Sequence, residues 1–197
     1  MTTIKRQKQL KFLLFFKKTH KILAIIFFVF FLFISLTGML LGLKKHSSEW
    51  LLPKTYVGTS TDFKNWLAMD SLHNIACQIL QDYISKDVSL ELNKIDIRKN
   101  SGVVKFDFEY KYWGIQLDGA TGKLLHIGVR RSDFIENLHD GSILDRYLGT
   151  SNGQIKVLYT SIMGLSLLLL TITGFWMWYG PKLLRKSKSK DIKSLNL

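Results

Sequence analysis

Five histidines, His20, His46, His73, His126 and His139, carry the evident redox or metal-binding chemistry of this 197-residue chain. A neutral imidazole ligates iron through its lone pair, and two of them on opposite sides of an apolar slot hold a b-type haem. No CxxC, HExxH, Gly-rich phosphate loop or GxSxG accompanies them. The carboxylates are scattered, and none lies inside an apolar run where a proton relay would need it. No catalytic residue is therefore assigned, and no metal beyond a haem iron held by these histidines.

Whether any two histidines can meet depends on the elements that carry them. Residues 22–43 and 157–180 are long apolar runs without Asp, Glu, Lys, Arg or His. At a helical rise of about 1.5 Å per residue each spans roughly 33 to 35 Å, enough for a hydrocarbon core of about 30 Å. The first lacks a small-x-small cleavage site and reads as an uncleaved anchor. Trp176, Trp178 and Tyr179 close the second run just before Pro181 and Lys182, as suits an interface.

Charge orients the two spans. The net charge is +13, and it is concentrated at the ends: residues 1–21 hold seven Lys or Arg and no acid, and residues 181–197 hold six against Asp191 alone. Positive flanks stay in the cytoplasm, so both termini are expected inside the cell and residues 44–156 outside. Anionic lipid is the simplest partner for the basic ends, and no folded element suggests nucleic-acid binding. The tail reads as solvated and irregular beyond its first turn.

A connector this long folds on its own. Leu72, Ile75, Ala76, Ile79, Leu80 and Tyr83 fall at helical spacing over residues 70–83. After Lys86 the period becomes two. Ile95 and Ile97 alternate with Lys94, Asp96 and Arg98, and Val104, Phe106 and Phe108 alternate with Lys105, Asp107 and Glu109. Both stretches read as half-buried strands around the turn at Asn100-Ser101-Gly102. A second turn at residues 118–122 leads into a strand at 123–129. One helix on an antiparallel sheet of three or four strands gives an α+β unit at about 62–129, followed by an interfacial helix at about 132–140. Cys77 is the single cysteine and can form no internal disulfide.

On this topology His46 and His139 can meet at the outer face. His20 lies at the cytoplasmic mouth of the first span, roughly 39 Å of helix away from His46. A haem on His20 therefore needs a ligand from another subunit or a separate protein. His73 and His126 read as surface residues, with His126 alternating away from Leu125 and Ile127 to face water. Gly38 and Gly42 on the first span and Ser161 and Gly164 on the second predict close helix approach in the outer halves.

The stretch "WGIQLDGATGKLLHIG" resembles the final hairpin of a PepSY domain, in which Asp118 caps the turn while Gly122 takes a positive φ. The stretch "THKILAIIFFVFFLFISLTGMLLGLKKHSSEWLLP" resembles the first span of the PepSY-associated transmembrane family, with a His before the span and Thr-Gly near its far end. The stretch "LHDGSILDRYLGTSNGQIKVLYTSIMGLSLLLLTITGFWMWYGP" resembles the second, with Leu-His at its start and aromatics before Pro. Many members have four or more spans, so this is a minimal version.

The resemblance implies a membrane protein with two transmembrane α-helices flanking an extracytoplasmic PepSY-like domain. It also implies haem b bound through His46, His139 and His20, and electron transfer to a ferric siderophore or another step of iron uptake. A homodimer or a second membrane protein would complete a haem site that two spans leave open. The competing expectation is non-enzymatic: a tethered PepSY module that binds and regulates an envelope partner or protease, taking an extended peptide by strand addition.

Overall fold

The computed structural model describes residues 3–195. In chain order its elements are α1 (Thr3–Gly42), α2 (Met69–Tyr83), β1 (Leu92–Arg98), β2 (Val103–Phe108), β3 (Trp113–Asp118), β4 (Leu124–Val129), α3 (Arg131–His139), α4 (Ser142–Leu148) and α5 (Gln154–Leu195). Two compact units emerge, Met1–Leu36 with His139–Leu197, and Thr37–Leu138.

The first unit is helical. Gln7–Gly42 and Gln154–Arg185 are long and apolar enough to cross a membrane. Leu14, Phe15, Ile25, Val29, Leu165 and Leu168 are all exposed, an apolar surface that water would not tolerate and lipid does. α1 begins at Thr3, well ahead of the apolar run, and α5 continues to Leu195 instead of ending in an irregular tail. Pro181 lies inside α5, where its ring nitrogen cannot donate to the preceding turn.

The helices meet through their aromatic and small residues. Phe12 and Phe16 lie 5.5 and 6.0 Å from Trp176 between ring centroids. A Cβ placed on Gly180 would lie 2.9 Å from Leu13 Cδ1, so the glycine admits the leucine. In the outer half of α5 Met163 and Ser166 are buried, as the expected packing requires, but Gly164 does not make the approach: a Cβ there would meet nothing within 4 Å, whereas Gly174 and Gly180 lie close to α1.

The second unit is a four-stranded antiparallel meander in the order β1-β2-β3-β4. Its register places Phe106 opposite Ile95 and Ile115. α2 packs on one face: Leu72, Ala76 and Leu80 recur every four residues, and all three are fully buried against Val104, Phe106, Phe108, Ile115 and Leu117. Each large side chain contributes about 1.5 to 3 kcal/mol by leaving water. Asp70 in the first turn of α2 complements the helix dipole.

The expectation of half-buried strands is corrected for β2, which is buried at all six positions. Lys105 is 6% exposed and Asp107 2% exposed. Alternation places both on the second face of the sheet, and a strap at residues 51–62 covers that face. Gln116 holds the strap by accepting from Tyr56 N (3.2 Å) and donating to Lys54 O (2.8 Å). Gly58 N donates to Ser101 O at 2.7 Å. β1 departs in the opposite sense: Ile95 and Ile97 lie on the core side yet are 39% and 47% exposed at the sheet edge.

Candidate functional site

His20 lies in the helix pair, hydrogen-bonded through Nδ1 to Thr173 Oγ1 at 2.8 Å. Thr173 Oγ1 also lies 2.7 Å from Leu169 O, and two oxygen lone pairs that close repel unless a proton lies between them. The threonine proton therefore points to its own helix, and toward His20 the hydroxyl accepts. His20 carries its proton on Nδ1, which leaves the Nε2 lone pair available. Fixing one imidazole nitrogen in this way selects the tautomer and orientation of a metal-binding histidine.

Gly174 faces the ring at close range, since a Cβ there would lie 3.4 Å from His20 Cε1, in van der Waals contact. An open groove of about 330 Å³ starts at His20 and runs along Ala24, Phe28, Phe31, Leu32, Ser35 and Leu170. Its walls are apolar, and His20 is its one imidazole.

His139 ends α3, and the residues after it explain its presentation. Asp140 Oδ1 accepts from Ser142 N at 2.9 Å, which caps α4, and Asp140 Oδ2 pairs with Lys156 Nζ at 2.6 Å. For Asp140 burial acts upward, but the bonds from Lys156 and Ser142 outweigh it and hold the carboxyl below its ordinary range. Gly141 has φ +79, and a Cβ there would lie 2.9 Å from the Tyr159 ring. Only glycine fits both constraints. Asp145 then accepts from Ile155 N (2.9 Å) and Lys156 N (2.8 Å), supplying α5 with a remote cap. His46 lies elsewhere, exposed on a 3-10 turn (Lys44–His46) in the sheet unit. Among the described residues no group of three or more His, Cys, Asp or Glu could hold a metal ion.

The remaining histidines are more enclosed than a surface role requires. His73 stacks on Phe106 at 5.9 Å, with Nε2 3.4 Å from Cys77 Sγ. His126 does not face water. It stacks on Tyr56 of the strap at 5.3 Å, its Nε2 is buried without a hydrogen-bond partner, and burial holds its pKa below the usual imidazole range.

The second face of the sheet also holds a charge network. Arg130 Nε lies 2.9 Å from Asp133 and 3.3 Å from Asp107, and Lys94 lies 3.5 and 3.7 Å from the same two carboxylates. Burial pushes the Asp107 carboxyl up against the pull of Arg130 and Lys94. For Asp133 burial acts upward too, but hydrogen bonds from Arg130 outweigh it and hold the carboxyl below its ordinary range. At the far end of β3, Asp118 caps its turn by accepting from Ala120 N at 2.9 Å, and Gly122 has φ +70. Asp118 also clips the strap, accepting from Thr59 N and Oγ1 at 3.1 Å each.

Thr173 stands out in the sequence only as part of the Thr-Gly pair of the second span; its bond to His20 was not foreseen, because the expected partner of His20 was a second histidine. Sequence reasoning also missed the strap, which has no periodicity, and with it the enclosure of Lys105, Asp107 and His126.

A family profile described as PepSY-associated TM region matches residues 17–197. No curated protein and no solved structure matches the chain.

Proposed function

The chain belongs to the PepSY-associated TM family, and on that premise we propose a two-span protein of the bacterial inner membrane that holds haem b and passes electrons toward an external iron complex such as a ferric siderophore. Both termini are cytoplasmic in this proposal, and the sheet unit is displayed outside. One observation carries it: the hydrogen bond from His20 Nδ1 to Thr173, which leaves an oriented Nε2 lone pair at the head of an apolar groove. Bound haem supplies the one-electron chemistry, while His20 ligates and orients it and Phe28, Phe31 and Leu32 exclude water.

The groove offers one histidine, His20, that would hold a haem iron. A second copy of the chain would supply another, since a two-fold axis along the bilayer normal would place both His20 side chains at one depth. His46 and His139 would each offer a further imidazole to a haem outside the spans. Detergent-purified protein should show a Soret band and a sharp reduced α-band, with the outer haem lost in His139→Ala and the intersubunit haem lost in His20→Ala. A colourless preparation from iron-replete cells would sink the proposal.

The second reading, a tethered module that regulates an envelope partner, is favoured by β1. It is an edge strand, and the exposed Ile95 and Ile97 could serve as pockets for an added strand. A photocrosslinker at Ile97 should then capture one dominant partner even when His20, His46 and His139 are all replaced by alanine. Loss of capture together with haem would return the decision to the redox reading.

A further inference from the structure

Between the start of the strap and the outer ends of β1 and β2 lies a cleft of about 340 Å³ whose charges do not balance. Four of its charged side chains pair off locally: Lys54 with Glu49 at 3.0 Å, and Arg98 with Asp96 at 2.8 Å. Arg130 is spent on Asp107 and Asp133, a pair of carboxylates that Lys94 also neutralises. Lys45 and Lys105 remain, both lining the cleft.

Lys105 is the informative one. Only 6% of it stays exposed, yet among the described residues it makes no ion pair within 4 Å. Its ammonium donates to Thr55 Oγ1 at 2.6 Å. Two of its three protons are left, and the Thr55 hydroxyl, accepting from Lys105, keeps its own proton for a further acceptor. A buried charge without a counter-charge is costly, and proteins keep one where something else supplies the balance. Burial and the nearby Arg98 act together to push the Lys105 pKa down, the direction expected of an ammonium awaiting an anion.

We propose that this cleft binds a dianionic phosphate group, a phosphate monoester or inorganic phosphate, between Lys105, Thr55 and Lys45. Two uncompensated cations match two negative charges, and the cleft has room for an organic substituent beyond the phosphate. Lys45 follows the end of α1 by three residues, so a lipid phosphomonoester and a soluble one are both sterically available sources. The site shares no residue with the proposed haem ligands and stands independently of them.

The test uses the full chain in phosphatidylcholine nanodiscs, with inorganic phosphate as the soluble probe and phosphatidic acid as the lipid probe. Phosphate should raise the unfolding temperature saturably. Lys45→Ala, at an exposed position outside the core, and Lys105→Met should each raise the apparent dissociation constant at least tenfold. Lys99→Ala, outside the cleft, should leave it unchanged. If phosphate has no effect but phosphatidic acid in the disc raises the unfolding temperature, and the same two substitutions cancel the rise, the ligand is the lipid headgroup. Stabilisation by either probe that survives Lys45→Ala overturns the proposal, as does the absence of stabilisation by both.

Discussion

Thr173 Oγ1 accepts a hydrogen bond from His20 Nδ1 at 2.8 Å, joining residues 153 positions apart on two helices. In lipid such a bond is worth about 0.6 to 2 kcal/mol, and its directional effect on the imidazole matters more than its energy.

Thr173→Val keeps the shape and removes the acceptor. Nitrogen-15 NMR of labelled histidine should report the Nδ1–H tautomer for His20 in the native chain and in Thr173→Ser, and a mixture of tautomers in Thr173→Val. An unchanged tautomer in the valine variant would show that the hydroxyl does not orient the ring.

Gly174 and Gly164 both sit on α5, but only the first approaches α1 closely. With Cys77 replaced by serine, a Leu13→Cys and Gly180→Cys pair should crosslink within the chain. Adding Gly174→Leu should reduce that crosslink several-fold, while Gly164→Leu leaves it intact. Equal losses would place the helix contact elsewhere.

His126 makes the sheet unit sensitive to mild acid. Its folded pKa is depressed by burial, so below the ordinary imidazole pKa of about 6.5 the unfolded chain takes up the proton first and stability falls with pH. The decline continues until pH drops through the folded value. His126→Phe keeps a ring against Tyr56 and removes the titration. Between pH 7.5 and 5.5 the native urea midpoint should fall more steeply than that of the variant. Parallel slopes would assign the decline to other groups, such as the carboxyl of Asp133 held below its ordinary range, and not to Asp107, whose raised pKa makes acid stabilising.

Periodicity exposed the parts of the fold that bury one face. The two apolar runs, the α2 stripe of Leu72, Ala76 and Leu80, and the turn at Asp118 and Gly122 are local patterns that residue spacing records. The strap is different in kind. Tyr56 and Thr59 are held by Gln116 and Asp118, about 60 positions downstream, and nothing in "LLPKTYVGTSTD" signals a partner that distant. Lys105 and Asp107 consequently read as a solvated face. The alternation was correct about which side they occupy and silent about what lies above them. The same holds for His20: its position at the head of a span was legible, but a hydroxyl partner on another helix leaves no mark in spacing.

The clip at Asp118 also has a mechanical consequence. Chain leaving α1 at Gly42 reaches the sheet through the strap, and the strap is fastened to the last residue of a central strand. Tension applied at that end of the chain would load the Thr59 bonds to Asp118 and the Gly58 bond to Ser101 before it reached the helix-covered core. The cover over Lys105 would therefore yield to load before the helix-covered core does.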